Sequence, residues 1–241
     1  MGLFGNLFKE KNCEVCGKEL GVFGKVKLSE GYLCKDCSGL LSPFFQGRRS
    51  ATADQIREQL AYREENKAKV AAFNVTTTLE GGNKKVYLDE EKGQLIISGS
   101  RSWRDENPDV IDFAQVTGCS MEIDEDKSEV YREDADGKRQ SYVPPRYEYE
   151  YDFDVKVYFN HPYFSEVSWQ VNTNSIDDKR SLDYQEANKR AEALRDKLSN
   201  LHQENRAAAA PKQAVTCPHC LASTIPDAQG RCEYCGGSVL Q

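Results

Sequence analysis

The chain reads as an α+β protein: an antiparallel β body that ends in a helix, flanked by two small metal-binding modules. Three observations predict this. Eight of the nine cysteines fall into four Cys-x-x-Cys pairs, two near the start and two near the finish. Residues 147–159 alternate apolar and polar side chains with period two, the pattern of a strand with one buried and one wet face. Residues 184–201 repeat apolar side chains at spacings of three and four, which makes a helical stripe.

Composition bounds the rest. With 241 residues, 39% hydrophobic and 29% charged, the chain has room for one mid-sized soluble domain plus modules. No apolar run approaches the roughly 20 residues that span a bilayer. The net charge of −7 is uneven: residues 1–50 hold 8 Lys+Arg against 5 Asp+Glu, and residues 73–180 hold 13 against 23. An acidic body is a poor match for a phosphate backbone, so nucleic acid is disfavoured as the main ligand. No export signal precedes the first cysteines and their total is odd, which favours free thiols and a cytoplasmic address over disulfides.

Taken in order, residues 1–12 form a short amphipathic segment if helical, with Leu3, Phe4, Leu7 and Phe8 on one side. These four offer a weak contact for a membrane or a partner groove, or else a cap on the neighbouring module or the body. Residues 13–46 hold Cys13, Cys16, Cys34 and Cys37: a knuckle, a hairpin-like segment over 22–32, then a second pair opening a short helix. That order predicts a treble-clef-like module. Two knuckles supply four thiolates and complete a tetrahedral site with no open position, which is the structural rather than the catalytic form of zinc. Spacing alone leaves iron in a rubredoxin-like site open. Gly17 and Gly236 follow the last cysteine of their pairs, where positive φ is expected.

Residues 46–53 read as a linker and 54–72 as a helix capped by Asp54, with Ile56 and Leu60 inward and Arg63–Lys67 as a solvated face. The body, 73–203, opens with strands over 75–80 and 84–89 around Gly81-Gly82-Asn83, a hairpin signal. Further strands are expected at 94–98, within 110–123, at 128–133 and 138–143 around a plain acidic turn, at 147–159, and at 166–173. Asp105, Glu106, Asp109 and Asp112 read as a solvated loop around Pro108, and Cys119 as a small core residue. The aromatic ladder of Tyr147, Tyr149, Tyr151 and Phe153 reads as core, since acidic residues between its members disfavour base stacking. Tyr184, Ala187, Ala191, Leu194, Leu198 and Leu201 line the closing helix. About seven strands followed by one helix is the element order of a pleckstrin-homology-like barrel; a β-sandwich with a packed helix is the alternative. Residues 204–216 read as a linker and 217–241 as a zinc ribbon on Cys217, Cys220, Cys232 and Cys235, with His219 a non-ligand. None of the three histidines has a visible nucleophile partner and no phosphate-binding glycine loop is present, so no enzymatic activity is expected.

At residues 1–4, 13–17, 33–37 and 41–45 the chain resembles a bacterial family of unknown function defined by such an N-terminal zinc-binding segment. Residues 106–113 and 144–149 extend the likeness, which covers roughly 1–200. The tail over 227–236 is similar to zinc ribbons that end many bacterial proteins, membrane-stress scaffold proteins among them. The resemblance implies zinc on Cys13, Cys16, Cys34 and Cys37 and on the four tail cysteines, and implies no activity. The functional expectation is a zinc-binding adaptor that docks a protein, at or near a membrane; a transcription-linked, nucleic-acid-binding ribbon protein is the alternative.

Overall fold

A computed structural model describes residues 11–21, 24–209, 214–226 and 230–239. Leu3, Phe4, Leu7 and Phe8, and most of the turn expected at 227–230, lie outside the described residues. The chain divides into two compact units, Met1–His202 and Gln203–Gln241.

The first unit begins with two short hairpins, β1 (Lys11–Asn12) with β2 (Glu19–Leu20), and β3 (Val26–Lys27) with β4 (Tyr32–Leu33). A short helix α1 (Lys35–Gly39) follows. Leu28, Leu33, Leu41, Ala51 and the buried thiols make a small core of their own. Residues 46–53 are not a free connector: Gln46 accepts from the Ser165 hydroxyl at 3.0 Å and its amide N–H donates to the Tyr163 carbonyl at 3.0 Å.

Helix α2 (Ala53–Ala72) starts at Thr52 rather than Asp54. Thr52 and Gln55 form a reciprocal capping box, with Gln55 N–H donating to Thr52 Oγ1 and Thr52 N–H to Gln55 Oε1. Its buried positions are Ile56, Gln59, Arg63, Asn66 and Val70. Ile56 enters the small N-terminal core, while Val70 packs with Phe73, Ile96, Trp103 and Val110 against the body. The helix is therefore a splint between module and body. The expected solvated face over Arg63–Lys67 is corrected at Arg63 and Asn66, both of which point inward.

The body holds two separate antiparallel sheets. One runs β5 (Thr77–Gly81), β6 (Lys84–Asp89), β7 (Gln94–Ser98), β8 (Ile111–Asp112) in chain order. The other is ordered β11-β10-β9, from β9 (Val116–Glu133), β10 (Arg139–Phe159) and β11 (Glu166–Gln170). Helix α3 (Leu182–Ala209) closes the body, and its predicted stripe from Tyr184 to Leu201 joins one core with Val86, Leu88, Leu95, Ile97, Phe153, Val155, Val157 and Trp169. The class is α+β, but the barrel does not close. β8 is only two residues long, and β9 and β10 run on as a ribbon instead of pairing with it.

That ribbon merges segments expected as separate strands. β9 and β10 pair from Val116↔Phe159 to Glu133↔Arg139, with Tyr142, Val143, Pro144 and Pro145 looped out between Ser141 and Arg146. Because it outruns the core, the aromatic ladder is only partly internal: Tyr151 and Phe153 are buried, whereas Tyr147 is 44% exposed. At the tip, Asp134 Oδ1 accepts from the N–H groups of Asp136 and Lys138, a plain turn. Helix α3 runs on to Ala209, into the segment expected as linker. The tail holds one further hairpin, β12 (Val215–Thr216) with β13 (Ser223–Thr224). Among the described residues no helix is long and apolar enough to cross a membrane.

Candidate metal centres

Each set of four cysteines converges. The sulfurs of Cys13, Cys16, Cys34 and Cys37 all lie within 4.8 Å of one another, and so do those of Cys217, Cys220, Cys232 and Cys235. Close pairs stand at 3.7 Å (Cys16–Cys34), 3.6 Å (Cys217–Cys235) and 3.6 Å (Cys220–Cys232). A metal–sulfur bond of about 2.3 Å places tetrahedral ligands about 3.8 Å apart, whereas a disulfide needs about 2.05 Å. The spacing fits ligands around an ion, and all nine cysteines are free.

The backbone prepares both sites. Gly17 and Gly236 take φ of 72° and 70°, as their places after the knuckles required. In the first site Cys34 N–H donates to Cys13 Sγ at 3.4 Å and Cys37 N–H to Cys34 Sγ at 3.3 Å, so Cys34 caps α1 with its sulfur. In the tail His219 N–H donates to Cys217 Sγ at 3.4 Å, and the imidazole stays outside the ligand set. These donors favour thiolate over thiol. Burial pushes the Cys13 thiol up, but the N–H groups of Cys16, Cys34 and Val15 outweigh it and bring it down to about 6. In the tail burial likewise opposes ionisation of Cys232, and the N–H groups of Cys235 and Tyr234 bring it to about 6. Burial and the neighbouring sulfurs hold the Cys37 thiol well above its usual range. Four sulfurs this close cannot all ionise without a cation among them. A divalent ion held there would supply that charge, and four sulfur ligands would leave it no position for water.

The first centre is wired to the body by a polar network that sequence reasoning missed. Asp109, expected in a solvated loop, is 1% exposed. Its Oδ2 accepts from Ser42 Oγ at 2.6 Å and its Oδ1 from Arg63 Nη1 at 3.2 Å, while Arg63 Nε donates to the Leu40 carbonyl at 3.2 Å. Asn66 Nδ2 donates to Asn107 Oδ1 (2.8 Å) and to the Pro108 carbonyl (2.7 Å), and Asn66 Oδ1 accepts from Val110 N–H (3.0 Å). Asp105, Glu106 and Asp112 are exposed, as a solvated loop implies. Cys119 is half-buried on the main core, its thiol pushed up to about 12 by burial. His161 stacks on Phe164 (ring centroids 4.0 Å apart) between Tyr62 and Tyr163, and its Nδ1 accepts from Tyr163 N–H. Burial lowers its pKa.

Residues 11–59 match a family described as a domain of unknown function (DUF4428). The match takes in the whole first cysteine set and the start of α2. No curated protein and no solved structure matches the chain.

Proposed function

We propose that the chain is a non-enzymatic scaffold with two structural zinc centres, and that its tail docks a protein partner. The observation that carries this reading is the closed set of four thiolates in each unit; catalytic zinc keeps a position for water or substrate, and these sites leave none. The knuckle, the β3–β4 hairpin and a helix beginning at Cys34 support a treble-clef-like first module, and the β12–β13 hairpin with its two knuckles supports a zinc ribbon at the tail. Zinc is the metal assigned: four thiolates suit it, and it does no redox chemistry there. Two described side chains of the body fit a non-catalytic reading: His161 sits in an aromatic box and burial raises the Cys119 thiol. Free thiols suit a reducing, cytoplasmic setting.

A docking role for the tail draws on its surface. Leu221 is 77% exposed, Tyr234 70% and Ile225 46%, a large apolar share for so small a unit. Elemental analysis of the purified protein tests the metal: two zinc per chain is expected, and a red protein carrying iron overturns the assignment. A cross-linked pull-down beside a variant with the four tail cysteines changed to serine tests the role. Proteins held only by the intact tail support docking; recovery of nucleic acid alone overturns it.

A further inference from the structure

We propose that two copies of this chain associate through the outer face of the β9–β10 ribbon, laid antiparallel so that the arginine end of each covers the carboxylate pairs of the other. The distal ribbon is two-stranded and uncovered, and such a hairpin is marginal in water without something against it. Its outer face carries the even-numbered residues of both strands. There Asp126 stands directly opposite Glu150, Asp124 opposite Asp152, and Glu122 opposite Asp154. Like charges in cross-strand pairs destabilise a ribbon. Among the described residues no Lys or Arg forms an ion pair with any of these six carboxylates. Asp152 is eased by hydrogen bonds from Gln170, Asn172 and Ser175, and the other five have no such donors among the described residues. Burial and then the neighbouring Asp152, Asp124 and Glu122 raise the Asp154 pKa.

The tip of the same face is cationic. Arg146 stands opposite Val130 and Arg132 opposite Gln140. Both guanidiniums lie over the Tyr142 ring, at 4.5 Å and 5.9 Å from its centroid, and neither has a carboxylate partner among the described residues. The face is therefore bipolar, with acid pairs near the core, Glu148 opposite Ser128 at its middle, and arginines beyond. A two-fold axis near Ser128 and Glu148 brings Arg146 of one copy over Asp126 and Glu150 of the other, and Arg132 over Asp124 and Asp152; the two Glu148 carboxylates meet near the axis, and the arginines on either side have to offset that like-charge contact. A contact of this kind is self-complementary, as a two-fold interface must be. A basic partner protein would meet the carboxylates and leave the arginines unused; a second copy uses both. At about 3.3 Å per residue the face from 122 to 132 is about 33 Å long and one ribbon wide, less than the ~800 Å² per partner of a standard interface. The association is accordingly weak and salt-sensitive.

Sedimentation velocity on the full chain tests this. A concentration-dependent dimer is expected at about 0.02 M salt and a monomer at about 0.5 M. Arg132→Glu/Arg146→Glu and Asp124→Lys/Asp126→Lys, all at exposed positions, should each be monomeric at low salt, and an equimolar mixture of the two should recover a dimer. The neutral pairs Arg132→Gln/Arg146→Gln and Asp124→Asn/Asp126→Asn, expected to weaken association at least tenfold, carry the test if a reversed ribbon fails to fold. A wild type that stays monomeric at low salt, a dimer that survives either charge change, or a mixture of charge-reversed variants that stays monomeric overturns the proposal.

Discussion

Replacing Asp109 by Asn should be among the most costly single changes in the body. The substitution keeps the shape and leaves an acceptor for Ser42, but it removes the charge facing Arg63. The Arg63 side chain is 8% exposed and that of Asp109 0% exposed, so water cannot take the place of the missing carboxylate. Arg63 would retain its bond to the Leu40 carbonyl and little else. Leaving one member of a buried pair unpaired costs about 3–5 kcal/mol. For a unit of this size, with a urea slope of about 2–3 kcal/mol/M, the midpoint should fall by roughly 1–2 M. Both tryptophans are buried in the first unit, so their fluorescence follows that unit and not the tail. The exposed Asp105→Asn is the control, expected to change stability by no more than about 0.5 kcal/mol. The double variant Arg63→Met/Asp109→Leu should lose much less than the sum of its singles, because no charge is then left buried. A single-variant loss below about 1 kcal/mol, or strict additivity in the double, would refute the claim that this pair joins module to body.

Other expectations follow from the same contacts. Cys34→Ser should lower bound zinc to one ion per chain and also destabilise the first unit, because Cys34 both ligates and caps; Cys217→Ser should lower the zinc equally while leaving the tryptophan unfolding curve in place. Loss of both ions from either variant would contradict two independent centres. Gly82→Ala should cost about 3 kcal/mol or abolish folding, since Gly82 has φ of 71° and a Cβ there would collide with the Val171 carbonyl; a stability within about 1 kcal/mol of wild type by urea titration would disprove the packing of the β5–β6 turn against the end of β11. Asp89 is fully buried, and although burial opposes its charge, the N–H groups of Asn74 and Lys92 and the Lys92 ammonium lower its pKa. Its contribution is therefore present above the ordinary carboxylate value of about 4 and lost as pH falls through the lower folded value. Asp89→Asn should cost about 2 kcal/mol at neutral pH, and the gap should narrow below about pH 4; urea midpoints showing a gap independent of pH would rule this out.

How much of the molecule is legible in the sequence follows a physical division. The metal centres are plain because ligation by a knuckle is local: four residues bring two sulfurs together, and the glycine after them is dictated by the turn. Helix α3 is plain because its buried face is wholly apolar. Helix α2 misleads from Arg63 onward although its buried positions, Ile56, Gln59, Arg63, Asn66 and Val70, keep a helical spacing just as regular. Three of the five are polar, and hydropathy assigns polar residues to solvent unless their partners are known. The partners of Arg63 and Asn66, namely Asn107, Pro108, Asp109 and Val110, lie about forty residues on in a segment that carries no periodic signal. The ribbon misleads for the opposite reason. Alternation over 147–159 is real, but it marks two-faced pleating and not burial. Tyr147 and Phe153 therefore look alike until the end of the core is located; Phe153 lies inside it and Tyr147 beyond it. The same ambiguity hides the acid pairs, because the register that sets Asp124 against Asp152 depends on the turn at Asp134 and on the four residues looped out before Arg146. Local chemistry therefore announces where this chain could hold metal, whereas the contacts that join module to body exist only once distant segments are in register.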